Sequence, residues 1–359
     1  MSNNVKNLTN FWKNKKVFLT GHTGFKGSWF SLMLNLLGAK VYGYSLKPNK
    51  KLNLYNIFKL KKNIHSSVIG DIRNYTKLKQ SILKASPDFI VHMAAQPLVL
   101  DSYDFPKKTY EVNTIGTMNI LNIIHETNIS KYNLIVTTDK VYENDNKNIF
   151  YKEIDKLGGN DPYSSSKACA ELITQAYNKS FFKKKKIFAV TARAGNIIGG
   201  GDFSKNRLLP DFFRSLSGKK NMTLRNPKSI RPWQYVLEPL YGYLLILMKL
   251  HSKKNVSDET SFNFGPKKIN NIKVEHVIDL INREFKNSVK IKKKNINKYE
   301  SKILMLNSNK SKKILNWESK INIENSIKLI ASWHKDFLSN TDILRISKEQ
   351  ITTYLNNLD

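Results

Sequence analysis

Val17-Phe18-Leu19-Thr20-Gly21-His22-Thr23-Gly24-Phe25-Lys26-Gly27 is the stretch that decides the fold. An apolar strand run, Val17–Thr20, ends in three glycines spaced G-x-x-G-x-x-G. The helical pattern Ser28–Leu37 follows and is closed by Gly38. Glycines let the backbone turn tightly and come close to a pyrophosphate, and the helix N-terminus then offers N–H groups and a positive dipole end. The spacing is not G-x-G-x-x-G, so the strand before and the helix after carry the reading. Gly21, Thr23, Gly24, Phe25 and Gly27 are the expected cofactor-binding residues of this loop.

The same rhythm continues outward. Val41–Ser45, Ser67–Ile69, Phe89–His92, Leu134–Thr137 and Ile187–Arg193 read as strands. Between them lie helical patterns near Tyr75–Lys84, Thr109–Glu126 and Tyr163–Asn178. Strands alternating with helices predict an α/β fold: a doubly wound, mostly parallel sheet of Rossmann type. From Asn196 the pattern changes, with Gly199–Gly201 and Pro210, Pro227, Pro232 and Pro239 as breaks. We therefore expect a nucleotide-binding domain over 1–195 and a smaller substrate-binding lobe over 196–359. Segments near 235–265 are expected to return to the first domain.

Composition narrows the function classes. The 359 residues are 40% apolar, enough for a sizeable core. The best apolar run, Tyr241–Leu250, is too short to span a bilayer. The first 16 residues lack the apolar run of a secretory signal. Cys169 is the only cysteine, so neither an intrachain disulfide nor a cysteine-based metal site can form, no metal ligand set is expected, and a reducing cytoplasm fits. The net charge of +32 raises the question of a nucleic-acid partner. Arginine supplies only eight of the 60 basic residues, and no nucleic-acid motif accompanies the scattered lysines. A solvated lysine-rich surface is the expectation, with no specific nucleic acid and no membrane as partner.

Two places bear on the cofactor and the chemistry. An acid about 20 residues after the glycine loop would bind the ribose 2′-hydroxyl of NAD. Ser45-Leu46-Lys47 stands there instead, and Lys47 is able to accept a 2′-phosphate, so NAD and NADP both stay open. Asp71-Ile72 follows the third strand, where Asp71 either caps the next helix or meets adenine. Tyr163 and Lys167 sit at i and i+4, on one helix face. A nearby ammonium favours the phenolate, which turns a poor base into a usable one. Chance alone supplies about two such pairs in this lysine-rich chain. Tyr55/Lys59, Tyr75/Lys79 and Tyr103/Lys107 also match, but only Tyr163/Lys167 opens a helix after the fifth strand. Thr138 ends that strand at the carboxyl edge, where such sheets bind ligands.

These features together resemble the extended short-chain dehydrogenase/reductase superfamily over nearly the whole chain. The glycine loop, His92-x-Ala94-Ala95, Asn113, Thr138 and Tyr163/Lys167 carry the resemblance. Within it, Thr138-Asp139-Lys140 stands where sugar-nucleotide 4,6-dehydratases commonly carry Asp-Glu, and epimerases lack the acid at the Asp139 position. The Asp-Lys pair resembles CDP-glucose 4,6-dehydratases, as do Gly21–Trp29, His92–Val99, Gly195–Phe203 and Arg231–Tyr243. The resemblance implies NAD as cofactor, with Ala94 and Ala95 beside it and a nucleotide sugar (CDP-glucose) as substrate. It implies that Tyr163 takes the 4-hydroxyl proton, that Lys167 lowers the tyrosine pKa, and that Thr138 holds the sugar oxygen. Asp139 donates to the departing C6 hydroxyl. Lys140 takes the C5 proton or stabilises the enolate, against the alternative of a surface lysine. A homodimer or higher homo-oligomer is implied too.

Five of the eight arginines fall between Arg193 and Arg231. Guanidinium forks suit a diphosphate. By resemblance Asn196, Arg207 and Arg231 bind the substrate's phosphates, with Trp233 lining the pocket or stacking on the base; Arg214 and Arg225 read as surface residues. The competing readings are an epimerase or reductase on the same fold, a non-catalytic dinucleotide-binding regulator, and a basic nucleic-acid-binding protein. Asp139 speaks against the first, and the Tyr163/Lys167/Thr138/Asp139 set against the second.

Overall fold

The computed structural model describes residues 2–48, 52–145, 149–252, 260–267, 272–294 and 302–358. Six strands of the main sheet come in order: β1 (Lys16–Thr20), β2 (Lys40–Ser45), β3 (Ser66–Ile69), β4 (Phe89–His92), β5 (Tyr132–Val136) and β6 (Phe188–Ala194). A seventh, Ser261–Phe264, pairs with β6 far from it in sequence. The order is Ser261–Phe264, β6, β5, β4, β1, β2, β3, and every pairing is parallel. Strand order reverses between β1 and β4, whose carboxyl ends Thr20 and His92 lie side by side. That reversal opens the crevice where ligands bind in doubly wound sheets.

Burial explains the strands. β4 is buried along its whole length and β1 in all but its first residue, as parallel strands covered on both faces must be. One core cluster runs from Val17, Trp29 and Phe89 to Trp317, Trp333 and Ile351. A second packs β1 and β4 against Ile120, Leu121 and Ile124 on the other face. Two small parallel pairs, Ile197–Ile198 with Gln234–Tyr235 and Met222–Arg225 with Ile291–Lys294, build the region over the carboxyl edge. Of the stretch expected to return to the sheet, residues 253–259 lie outside the described residues.

Two differences from the expected elements matter. A helix at Asn3–Trp12, unforeseen, buries Val5, Leu8 and Trp12. The long helix expected over Thr109–Glu126 starts at Pro106, runs to Thr127 and contains a π turn at Glu111–Ile115. The π turn is where Asn113 turns inward to bond two other segments, a common reason for such bulges. Among the described residues no helix is long and apolar enough to cross a membrane.

Candidate active site

The glycine loop is packed to its limit. Gly21 has φ +80°, and a Cβ there would lie 2.8 Å from the Ala94 backbone nitrogen. A Cβ on Gly27 would lie 2.1 Å from the Gly21 carbonyl oxygen, so neither position takes a side chain. Gly24 is the N-cap of the helix Phe25–Leu36 and offers no capping side chain. The first-turn N–H groups are therefore left for an anion. Thr23 ties the loop to β2, its hydroxyl 2.8 Å from Ser45 Oγ and 2.9 Å from the Leu46 carbonyl. His22 is buried with Nε2 2.8 Å from Ser67 Oγ, and burial pushes its pKa down to about 4, so it is neutral at pH 7. Lys47 is exposed and is not among the residues lining the cavity.

Asp71 does not cap the next helix. Asn74 does, accepting from the Lys77 N–H at 3.0 Å. Asp71 instead pairs with Arg73 at 2.7 Å, which holds its carboxyl below the usual carboxylate range. It lies, with Ile72, at the cavity wall beside the glycine loop.

The helix Pro162–Tyr177 begins where it does because of its cap. Asp161 accepts from the Ser164 N–H at 2.9 Å, Ser164 Oγ answers the Asp161 N–H at 3.2 Å, and Pro162 takes the first helical position. This sets Tyr163 and Lys167 one turn apart at the end of β5. Lys167 Nζ donates to the Val136 carbonyl at 3.0 Å, and burial pulls its pKa down to about 8. Tyr163 departs from expectation. Burial pushes it up to about 12 and Asp139 adds to that, while Thr138 and Arg207 oppose. Loss of solvation outweighs the Thr138 hydrogen bond and the Arg207 cation that favour the phenolate.

Thr138 and Asp139 form one unit. The Thr138 hydroxyl donates to Asp139 Oδ1 at 2.9 Å. Asp139 is buried, and burial raises its carboxyl above the usual range despite Lys140 and Arg231. Its Oδ2 is buried with no hydrogen-bond partner among the described residues. Lys140 is half-buried and lines the cavity. Asn113 braces the site from the π turn, accepting from the Gln96 N–H at 2.8 Å and donating to Ser166 Oγ at 2.9 Å. His92, neutral because burial drives it to about 3, joins Thr20 at 2.8 Å and Thr117 at 3.2 Å.

Behind Lys167 lies a buried ion pair that sequence reading missed. Arg193 donates to both oxygens of Glu171, at 2.9 and 2.8 Å, and both side chains are fully buried. Thr191 adds a bond to Glu171 at 2.6 Å, and Tyr142 accepts from Arg193 at 2.8 Å. This explains one of the five clustered arginines as internal framework.

On the substrate side, Arg207 pairs with Asp202 at 3.0 Å. Arg231 is buried and donates to the carbonyls of Ile230 at 2.9 Å and Lys302 at 3.3 Å. Trp233 is buried, and its indole N–H has no partner among the described residues. Arg214 and Arg225 bond carbonyls of the neighbouring loop, such as Ser204 at 3.1 Å and Asn206 at 3.1 Å. Gly21, Thr23, Gly24, Phe25, Gly27, Asp71, Ile72, Ala94 and Ala95 line a cavity of about 590 Å³. Thr138, Asp139, Lys140, Tyr163 and Lys167 lie along the same cavity, as do Asn196, Arg207, Arg231 and Trp233. Lys26, within the glycine loop but not among the expected site residues, lines it as well.

A parallel sheet, a glycine loop at the switch point and a Tyr–Lys pair at the carboxyl edge define an enzyme of the extended short-chain dehydrogenase/reductase kind. The chain belongs to the GDP-mannose 4,6 dehydratase family, whose model matches residues 18–330. It is 39% identical to a CDP-glucose 4,6-dehydratase of Salmonella typhimurium, over 96% of this chain and 98% of that protein. It is 28% identical to a dTDP-D-glucose 4,6-dehydratase of Dictyostelium discoideum, over 66% of this chain and 56% of the other. Among solved structures, a dTDP-glucose 4,6-dehydratase from Bacillus anthracis in complex with NAD shares the fold. Its TM-score is 0.75 at 23% identity, over 92% of this chain and 99% of that one.

Proposed function

We propose that this protein dehydrates CDP-glucose to CDP-4-keto-6-deoxyglucose, using NAD that is regenerated within each turnover. The observation that carries the reading is Asp139: a buried carboxyl beside Thr138 and Tyr163, with one oxygen unengaged among the described residues, in the cavity that holds Lys140. An epimerase has no use for an acid there. The relative at 39% identity supports the nucleotide and the sugar.

A dinucleotide fits the residues present. The Gly21–Gly27 loop closes tightly on glycines that take no side chain, the helix Phe25–Leu36 presents open N–H groups, and Asp71 and Ile72 line the same cavity. When bound, NAD supplies the oxidant at C4 and the reductant that C6 later needs. Tyr163 takes the proton of the 4-hydroxyl. For this its phenolate must be held by the cations around it, of which Arg207 already pulls in that direction. Thr138 holds the sugar oxygen beside it. The 4-keto group makes the C5 proton acidic, and Lys140 receives that proton or steadies the enolate. Asp139, raised by burial toward its protonated form, hands a proton to the departing C6 hydroxyl. Asn196, Arg207, Arg231 and Trp233 are assigned to the nucleotide diphosphate and base.

Incubation with NAD⁺ and a panel of CDP-, UDP-, GDP- and dTDP-glucose tests the reading by mass. Loss of one water from CDP-glucose alone is the expected outcome. No dehydration of any member would overturn it. Lys140→Met is expected to block water loss while the nicotinamide absorbance still reports oxidation at C4; full dehydration by that variant removes Lys140 from the mechanism.

We also assign a homo-oligomer through the helices 106–127 and 162–177. Ile115 and Leu172 are 43% and 53% exposed on these segments, and exposed apolar side chains favour burial between copies. Sedimentation velocity should give at least a dimer mass, and a monomer at micromolar concentration would dismiss the assignment.

A further inference from the structure

Asp202 is not among the expected site residues, yet it lines the reaction cavity and is only 7% exposed. What precedes it fixes its backbone. A Cβ on Gly200 would lie 2.3 Å from Trp333 Cγ, and one on Gly201, at φ +78°, would lie 2.2 Å from Leu54 Cδ2. The Trp29 indole N–H donates to the Gly200 carbonyl at 3.0 Å. A segment packed so closely against the core puts the Asp202 carboxyl at a defined point of the cavity wall.

Both carboxylate oxygens are engaged. Oδ1 accepts from the Ser204 N–H and Oδ2 from Arg207 Nη1, each at 3.0 Å. Arg207 comes directly before the helix Leu208–Ser217. The loop between the two is held as well, because Arg214 and Arg225 donate to the carbonyls of Phe203, Ser204 and Asn206. Among the described residues the bond to Asp202 is the only hydrogen bond of the Arg207 guanidinium, so Nε and Nη2 keep their donors. Arg207 lines the same cavity, and its charge acts on Tyr163. The fork is thus pinned at one nitrogen and open along the edge formed by the other two, which is the arrangement that pairs bidentately with a phosphate.

A carboxylate beside an anion-binding arginine has two opposed effects. It repels the incoming anion, and it takes away rotamer freedom that a long side chain would otherwise lose on binding. Here the carboxylate is already paired, and the open edge does not include the bonded nitrogen, so orientation is the larger effect. We propose that Asp202 is the positioning residue for Arg207, holding the guanidinium with its Nε–Nη2 edge presented to the diphosphate of the nucleotide sugar. The inference rests on the reading above in assigning Arg207 to that diphosphate. It does not depend on which base or sugar the ligand carries. Asparagine cannot stand in for the aspartate: it offers one acceptor oxygen in place of two, so either the Ser204 N–H or Arg207 Nη1 loses its partner.

Titration calorimetry with CDP, UDP, GDP and dTDP reads the diphosphate without turnover, and the tightest binder of the four enters a double-mutant cycle. Arg207→Ala and Asp202→Asn should each weaken binding by about tenfold or more. The double variant should bind no more weakly than Arg207→Ala, because Asp202 acts only through the arginine. A residue that only folded the loop would weaken binding in the Arg207→Ala background too. Unchanged NAD⁺ affinity shows that each variant is folded. If Asp202→Asn loses it, Asp202→Glu, which shifts the carboxylate by one methylene, takes its place with the same non-additivity expected. Turnover gives a second reading. The diphosphate is remote from the reacting carbons, so Asp202→Asn should raise the KM for CDP-glucose about tenfold and leave kcat within about threefold. Undiminished affinity in Asp202→Asn, or losses that add in the double variant, would overturn the inference. Normal binding by Arg207→Ala would remove Arg207 from the diphosphate, and the inference with it. If CDP-glucose is simply not dehydrated, the calorimetric cycle still decides, so the two ideas fail separately.

Discussion

Lys167 shows at the scale of one residue how function and stability oppose each other. A buried ammonium with its pKa drawn from 10.5 to about 8 is less welcome in the folded protein than in the unfolded one. The folded value is the lower one, so the cost is present in full below about pH 8. It fades as pH rises toward the unfolded value. Its bond to the Val136 carbonyl offsets part of the cost. Lys167→Met should therefore abolish turnover yet gain about 1–3 kcal/mol at pH 7. Urea unfolding at pH 7 and pH 10 checks this. The gain should shrink at pH 10, and a less stable variant at pH 7 would contradict the account. On the proposed mechanism the charged form of Lys167 helps hold the Tyr163 phenolate, so activity should decline on the alkaline side as Lys167 loses its proton. Tyr163 and Lys167 were legible in the sequence because their relation is local, four residues along one helix. Lys26 was not, because what sets it apart is its contact with Tyr243, 217 residues away.

At the scale of elements, the Glu171–Arg193 pair fastens the helix Pro162–Tyr177 to β6 one turn along from Lys167. Bonds from Thr191 to Glu171 and from Arg193 to Tyr142 extend it to both sides. Tyr142 in turn donates to Asn263 of the seventh strand at 2.7 Å. Glu171→Gln should cost about 3–5 kcal/mol, since it leaves a buried guanidinium short of its countercharge. Glu171→Met with Arg193→Met should recover most of that loss in denaturant unfolding. If the double variant is as unstable as the single one, packing rather than charge balance holds the helix. Activity gives a second reading. Glu171 raises the Lys167 pKa, so Glu171→Gln should move the alkaline limb of the rate profile to lower pH. Strands β1 to β6 and the main helices could be read from apolar runs and glycine breaks, which are local signals. The π turn at Glu111–Ile115 could not, because Asn113 adopts it for contacts to Gln96 and Ser166 that exist only after folding. The Arg193 partner was equally invisible, lying 22 residues earlier on a different element.

At the scale of the whole molecule, the change of sequence character at Asn196 does not divide the core. The larger apolar cluster takes Val17, Trp29 and Phe89 from before that point and Tyr243, Trp317 and Trp333 from after it. Trp29 reaches across to donate to the Gly200 carbonyl at 3.0 Å. The strand Ser261–Phe264 completes the nucleotide-binding sheet from the far side of the sequence. The helix Asn3–Trp12 meets the helix Ile343–Asn356, with the Ser2 N–H 3.0 Å from Asn356 Oδ1. Unfolding either part alone would expose apolar faces of the other, so local opening of one should cost nearly as much as opening both. We expect one cooperative transition. The five tryptophans allow a direct check, since Trp12 and Trp29 lie in the first part and Trp233, Trp317 and Trp333 in the second. Replacing either set with phenylalanine makes fluorescence report on the other part. Both sets should give the same urea midpoint as far-ultraviolet circular dichroism, and NAD⁺ should shift both midpoints together, because a ligand held by the folded state stabilises the whole cooperative unit. Two separated midpoints, with only the first moved by NAD⁺, would mean that the nucleotide-binding sheet stands without the lobe above it. The seventh strand would then be an attachment to that sheet rather than a condition of its folding.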